Sequence, residues 1–266
     1  MKVMGFDDLV LVRPRWDNVL RREETIQRAS GAIDVLRGAR LVDNLEQACV
    51  GMSHLCATAM TPRDFGPPTL TPREHLSAFK LQLEQAQSAK LDGVDSPTHR
   101  HSGIAFLFGS ERFGMTNEDV YKCHVALTID TNPAFGSLNL AAAVQLIAYE
   151  WRLCLGGFTP QGAGLEGMKG AQDGHNVQVN SVHQPNSVAD AAQIAGLLAH
   201  LQSALEAIGF LDPLAPKKLM PRLNQLFNRS ELSTQEVDIF RGIAKAILAA
   251  SEQRVVARAK SAPSPR

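Results

Sequence analysis

Two glycine-broken stretches hold most of the side chains in this sequence that could do chemistry. Gly109-Ser110-Glu111-Arg112-Phe113-Gly114 sets a carboxylate and a guanidinium on a polar turn. Asp130 to Gly136, followed by Ser137-Leu138-Asn139, sets a hydroxyl and an amide on a second loop. Each follows a short apolar run, Ile104–Phe108 or Val125–Ile129, of the length of a strand buried on both faces. Each precedes a helix. Thr116, with Asp119 three residues on, caps the first; Leu140, Val144, Ile147 and Trp151 share one face of the second. Such strand-loop-helix units bring their loops to the C-terminal ends of neighbouring parallel strands, where open α/β sheets bind ligands. Every one of these side chains also has a plainer use. Ser137 can cap the following helix, Asn139 can satisfy loop backbone, and Glu111 can be a solvated acid on a glycine turn.

Read as whole motifs, FGSERFGMTNEDVYKCH and NPAFGSLNLAAAVQLIAYE resemble the second and third motifs of the SPOUT (SpoU/TrmH-type) RNA 2′-O-methyltransferases. The similarity is greatest to the TrmJ type, which modifies the tRNA anticodon loop, and it extends over most of the chain. The fold class it implies is an α/β knot: a parallel sheet with a C-terminal trefoil knot, plus a small all-α C-terminal domain. The activity it implies is S-adenosyl-L-methionine-dependent 2′-O-methylation of cytidine or uridine at position 32 of tRNA. It implies a cytoplasmic homodimer, with neither membrane nor metal. By the same resemblance Thr58, Ala59, Met60, Gly109, Ile129, Gly136, Ser137 and Leu138 surround the cofactor, mostly through backbone. Relatives have small residues where Met60 stands, so its contact is expected through main chain. Methyl transfer needs an in-line approach of the ribose oxygen and a group that accepts or steers its proton. Glu111, Ser137, Asn139 and Arg63 occupy the positions that the resemblance assigns to that side of the reaction.

The elements that must position these groups can be followed along the chain. Gly5 stands where a helix C-cap glycine would, with only four residues before it. A strand, Leu9–Val12, comes next. Relatives of the family begin with a strand, a loop carrying Asn and Gly, and a helix carrying an Arg that activates the ribose hydroxyl; this sequence lacks that motif. The expectation is a start site set too far downstream or a truncated product, in which the 266-residue chain binds cofactor weakly or not at all and shows little turnover. Arg63 and Arg112 are then the nearby substitutes. The alternative function is a catalytically inactive RNA-binding protein that keeps the knot and a basic helical domain.

Arg13-Pro14-Arg15 opens a basic loop reaching Arg22, near RNA in relatives. Thr25–Ala32 reads as helix and Ala39–Val42 as strand. Asp43 with Glu46 suits a capping box for a helix ending near Gly51. His54–Thr58 is the next strand, with Ala59–Arg63 as its exit and Asp64–Thr69 as loop. Thr71-Pro72-Arg73-Glu74 starts a helix with Leu76, Phe79, Leu83 and Ala86 inward. Ser88–Ser102 reads as a polar loop whose His99 and His101 lack the further ligands a metal site needs.

Beyond Arg152, Gly156–Asn186 is rich in Gly, Gln, Asn and His and lacks periodicity. Its Gly162-Ala163-Gly164-Leu165-Glu166-Gly167 matches GxGxxG, but no strand precedes it, so a dinucleotide site is excluded. The division read from the sequence is 1–155 for the methyltransferase domain without its first βα unit, 156–188 for a flexible linker, 189–252 for a helical RNA-binding extension, and 253–266 for a disordered tail. In the extension Ile194, Leu198, Leu201, Leu205 and Ile208 form one stripe and Val237, Phe240, Ala244, Ile247 and Leu248 another, the latter opened by Ser233-Thr234-Gln235-Glu236. Pro221 must start or kink the helix between them. GFLDP, KKLM and RL..LF there resemble the TrmJ-type extension, which assigns Lys217, Lys218 and Arg222 to RNA, beside Arg13 and Arg15.

Lys and Arg equal Asp and Glu at 27 each, but the balance is uneven. Residues 191–266 carry ten basic against six acidic residues, a surplus of +4, which suits phosphate binding and equally an ordinary solvated surface. The four cysteines form no CxxC pair and read as reduced, mostly buried thiols.

Overall fold

A computed structural model describes residues 1–91, 103–158 and 187–260. Lys2–Met4 make a single 3-10 turn, and Gly5 closes it at φ 80° with its N–H on Lys2 O, the C-cap the sequence suggests. Arg152 donates to Met4 O from Nε and Nη2, at 3.1 and 2.9 Å. Strand β1 (Val10–Val12) is followed by helices α1 (Glu23–Ala29) and α2 (Ile33–Gly38), and pairs in parallel with β2 (Arg40–Val42). Helix α3 (Leu45–Ala48) is capped by Asn44, which accepts from Gln47 N–H at 2.9 Å, and not by Asp43 as expected. Glu46 is drawn away from the cap by Lys122, whose ammonium it meets at 2.7 Å.

The second sheet carries the remaining strands: β3 (His54–Thr58), β4 (Thr69–Leu70), β5 (Ile104–Leu107) and β6 (Val125–Leu127), in the order β4-β6-β3-β5, all parallel. β4 starts on Thr69, the last residue of a stretch read as loop. Its two prolines precede it, where the missing N–H costs no ladder bond, and Thr69 and Leu70 pair with Ala126 and Leu127. β5 is half-buried rather than covered on both faces, because it ends the strand order.

Side chains alternate across the sheet. Leu55, Ala57 and Ala126 pack with Val120 and Cys123 toward α3 and α5 (Asn117–Tyr121). Cys56, Val125 and Leu127 pack with Ile147 of α6 (Leu140–Cys154) on the opposite face. Helix α4 (Pro72–Leu91) lies beside α6, tied by Arg73 to Glu150 at 2.6 Å and by the Cys154 thiol to Leu76 O at 3.1 Å. Its capping box forms as read: Glu74 N–H donates to Thr71 Oγ1 and Thr71 N–H to Glu74 Oε2. It continues through Ser88–Leu91, four residues assigned to the loop, because Ala, Lys and Leu there are good helix formers. Burial pushes the Cys49 thiol up to about 11 and those of Cys56 and Cys123 higher still, so with no ion bound these thiols stay protonated.

The C-terminal portion is helical: α7 (Ala191–Ala207), α8 (Leu219–Ser230) and α9 (Thr234–Lys260). The buried line of α7 is Ile194, Leu197 and Ala204, rotated from the expected stripe because α9 covers it on one side while Ile208 faces solvent. Pro221 sits in the first turn of α8, where no intrahelical donor is required. Ser233 and Glu236 form the expected box at the start of α9, which runs through Gln253–Lys260 as helix where a tail was expected. Asp190 joins the two portions. It caps α7 by accepting from Gln193 N–H at 2.8 Å, and its other oxygen accepts from Gly51 N–H at 3.1 Å. Most of the linker, the GxGxxG match, His99, His101 and the last six residues lie outside the described residues. Among the described residues no helix is long and apolar enough to cross a membrane.

Candidate active site

Strands β6, β3 and β5 are neighbours, so the loops leaving their C-terminal ends share one edge of the sheet. The loop after β3 is tied to both sides. Thr58 Oγ1 donates to Leu107 O at 2.9 Å, and Ala59 N–H donates to Leu127 O at 3.0 Å. Thr128 Oγ1 reaches Met60 O at 3.5 Å. Met60 is largely exposed, and its methyl lies against the next loop: a Cβ added to Gly136 would fall 3.0 Å from Met60 Cε and 3.1 Å from Thr131 Oγ1. Thr58, Ala59, Met60, Ile129 and Gly136 are thus gathered, with Ser137 and Leu138 continuing on exposed chain.

Gly109 is the tightest point. A Cβ there would stand 2.0 Å from the carbonyl carbon of Gly114 and 2.2 Å from Met115 N, so no side chain fits without moving backbone. The turn folds back on itself: Ser110 and Gly114 exchange main-chain bonds of 3.2 and 2.8 Å, and Phe113 N–H donates to Ser110 Oγ at 3.2 Å. The result is a cradle of close-packed backbone that leaves Glu111 projecting, exposed, from a turn held at both ends. Arg112 lies over the Phe113 ring, its Cζ 5.1 Å from the centroid.

The helix starts settle two of the plainer readings. Asn139, not Ser137, caps α6, its Oδ1 accepting from Ala142 N–H at 2.8 Å. What Asn139 can offer a substrate is therefore its amide N–H pair. Thr116 caps α5, accepting from Asp119 N–H at 3.1 Å.

Arg63 stands in the exit loop of β3. Its Nη1 donates to Thr61 Oγ1 at 2.7 Å, while its Nε is buried with no hydrogen-bond partner among the described residues. A permanently charged, oriented donor with one N–H unspent is suited to an anionic or lone-pair oxygen.

The basic residues separate into two groups. Lys218 Nζ and Arg222 Cζ lie 6.0 and 4.8 Å from the centroid of Phe65, two residues after Arg63, and Gln225 donates to Gly66 O. Helix α8 thereby meets the loop that carries Arg63, with Lys217 exposed just before it. Arg13 and Arg15 belong to the other group, after β1. Arg15 and Arg22 flank Trp16, each with Cζ 4.8 Å from its ring, and Arg13 is near enough to Glu46 to add to the lowering of its pKa that Lys122 dominates. Trp16 and Phe65 were not singled out from sequence. An aromatic inside an arginine-rich loop was the available signal for Trp16; none existed for Phe65, whose partners are over 150 residues away.

Comparison with known proteins fits this arrangement. Residues 1–149 match the model of the SpoU rRNA methylase family, and residues 192–260 match that of the C-terminal domain of the tRNA methyltransferase TrmJ. The chain belongs to the SpoU methylase family. Within it the TrmJ type is the near kin. The Pseudomonas aeruginosa protein named tRNA (cytidine/uridine/adenosine-2′-O-)-methyltransferase TrmJ is 36% identical over 244 residues, 91% of this chain and 84% of that protein. The tRNA (cytidine/uridine-2′-O-)-methyltransferase TrmJ of Pectobacterium atrosepticum is 34% identical over 247 residues, 93% of this chain and 88% of that one. The crystal structure of TrmJ from Z. mobilis ZM4 superposes with a TM-score of 0.66 at 26% identity, covering 93% of this chain and 89% of that one. A SpoU-type parallel sheet with helices, followed by a helical TrmJ-type portion, is the fold class the motifs implied.

Proposed function

We propose that this chain transfers a methyl group from S-adenosyl-L-methionine to the 2′-hydroxyl of a cytidine or uridine at position 32 in the anticodon loop of tRNA. The observation that carries the reading is the set of three tied loops at the ends of β3, β5 and β6, with a cradle at Gly109 that only a glycine permits. That cradle and the loop at Gly136 fit a cofactor held by main chain, with Thr58, Ala59, Met60, Gly109, Ile129, Gly136, Ser137 and Leu138 around it. When bound, the cofactor supplies an electrophilic methyl on a sulfonium.

The chain's own residues orient the other reactant. The half-exposed Arg63 guanidinium, oriented by Thr61, can stabilise the charge that develops on the ribose oxygen as its proton leaves to solvent, as a fixed positive charge does for a developing anion. Glu111, free of a backbone role, can accept a hydrogen bond from the nucleotide, and Asn139 can donate through Nδ2. Lys217, Lys218 and Arg222 on one side and Arg13 and Arg15 on the other supply phosphate contacts. The helical portion acts as an RNA-holding extension of the methyltransferase portion. A homodimer suits the face of α6 that leaves Leu146, Tyr149 and Leu153 exposed, and a trefoil knot suits the family. The relatives that align over nine-tenths of the chain are named methyltransferases, which lends the inactive alternative no support.

The test is incorporation of labelled methyl into unmodified tRNA transcripts, with the product mapped by nucleoside mass spectrometry. The expected product is 2′-O-methylcytidine or 2′-O-methyluridine from the anticodon loop, reduced at least tenfold by Arg63→Ala. Retained tRNA binding without any methyl incorporation would overturn the catalytic reading.

A further inference from the structure

The sheet-to-α4 layer contains a donor set that methyl transfer does not use. His54 and Cys56 are two residues apart on β3 and so face the same side, toward α4, whose first turn carries His75. One nitrogen from each imidazole and the Cys56 sulfur lie within 4.8 Å of one another. His54 Nε2 and His75 Nε2 are 3.0 Å apart, with rings tilted by only 10° and centroids 5.1 Å apart. The centroid separation exceeds the nitrogen separation by about the width of one ring, so the two nitrogens point head-on rather than stacking. As it stands, that pair shares one proton, one nitrogen donating and the other accepting.

We propose that His54, Cys56 and His75 form a site for one soft d10 metal ion, Cu+ or Zn2+. The chemistry of the set selects that class: thiolate and imidazole prefer such ions over hard cations, and no carboxylate takes part. Metal–nitrogen bonds of about 2.0–2.1 Å put two tetrahedral ligands about 3.4 Å apart, so the facing nitrogens need separate by only a few tenths of an ångström. The scaffold is firm: His54 and Cys56 are buried in the central strand, and Phe79 packs on the His54 ring at 4.3 Å. His124, whose ring is 4.8 Å from that of His54, is not a fourth ligand. Its Nδ1 accepts from Leu55 N–H at 3.1 Å, which places its proton on Nε2 in the neutral form. Charge separates the two ions. One thiolate with two neutral imidazoles balances Cu+ and leaves Zn2+ with one uncompensated charge in a buried layer. Zn2+ would then draw in a water, beside the half-buried His75. Binding exchanges the thiol proton for the ion, while the proton between the two Nε2 atoms moves to the Nδ1 of its own ring, so both imidazoles stay neutral.

The experiment uses the full chain after chelator treatment, titrated anaerobically with Cu+ and separately with Zn2+ against chromophoric competitors, and with Co2+ as a spectroscopic probe. One equivalent should bind, the Co2+ form should show a thiolate-to-metal charge-transfer band, and saturation at 100 times Kd should raise Tm by about 5–10 °C. Cys56→Ser should remove the band, and His75→Gln should weaken binding 10- to 100-fold. If either variant fails to fold, the wild-type band and stoichiometry still decide. A wild-type chain without the band, or binding unchanged in both variants, would overturn the site and leave the histidines as a proton-sharing pair.

Discussion

Replacing Gly109 by alanine tests the cradle directly. The added methyl would begin 2.0 Å from Gly114 C and 2.2 Å from Met115 N, against an ordinary carbon contact of about 3.5–4.0 Å. The turn must retreat by roughly 1.5 Å on that contact scale, and the Ser110–Gly114 bonds of 3.2 and 2.8 Å cannot survive it. Two net hydrogen bonds at about 0.5–1.5 kcal/mol each, with an overpacking cost of about 1–3 kcal/mol, give a penalty of about 2–6 kcal/mol. If the turn stays closed, that penalty appears as global destabilisation in urea. If it opens locally, it appears as lost cofactor affinity, at least thirtyfold for the first 2 kcal/mol or so. Urea melts and calorimetric titration with S-adenosyl-L-methionine together capture both routes. Gly114→Ala is the control: its Cβ would meet nothing within 4 Å, and only the φ of +67° costs, about 1–2 kcal/mol. A Gly109→Ala chain with unchanged melt and unchanged affinity would refute the reasoning about this loop.

Three further perturbations follow from the geometry. Asp190→Ala removes both the α7 cap and the acceptor for Gly51 N–H; about 2–4 kcal/mol should be lost in chemical denaturation, and Asp190→Asn should recover the cap portion. Lys218→Ala and Arg222→Ala should each weaken tRNA binding and lower the slope of log affinity against log salt by roughly one, measured by filter binding at several salt concentrations. The Lys122 ammonium holds the Glu46 carboxyl below its ordinary value of 4.5, so that pair's stabilisation is present above that pH and fades as pH falls below it. The pair is partly exposed, so the gain is under about 1 kcal/mol. Glu46→Gln should flatten the stability difference between neutral and acid pH; an unaltered acid limb would count against it.

Local signals were legible in the sequence, and contacts made at a distance were not. The Thr71 and Ser233 boxes, the Gly5 cap and the span of β3 depend on neighbours within a few residues, and each forms as read. Asn44 took the cap from Asp43 because Lys122, distant in sequence, claimed Glu46. β4 was hidden because a two-residue strand has no periodicity; only its pairing with β6 makes it one. In the stripe read for α7, Ile194, Leu198 and Leu201 do pack into the C-terminal core, but the deepest residues include Leu197 and Ala204, one position off, because α8 and α9 both cover the helix. At the candidate site the loops were readable as motifs. The link between α8 and Phe65 was not, since nothing near Lys218 or Arg222 in the chain announces an aromatic partner.

The order of pairing in the larger sheet bears on synthesis at the ribosome. β3 is completed by β5 and β6, both of which come later in the chain, and β4 waits for β6 as well. About 70 residues separate the start of β3 from the end of β6, and translation at about 5–20 residues per second makes that a delay of roughly 4–14 s. Both backbone edges of β3 stay unpaired until β5 follows, and one edge stays unpaired until β6 does. A nascent chain of this kind is a natural client for a holding chaperone, and slowing elongation beyond β3 should raise its misfolded fraction.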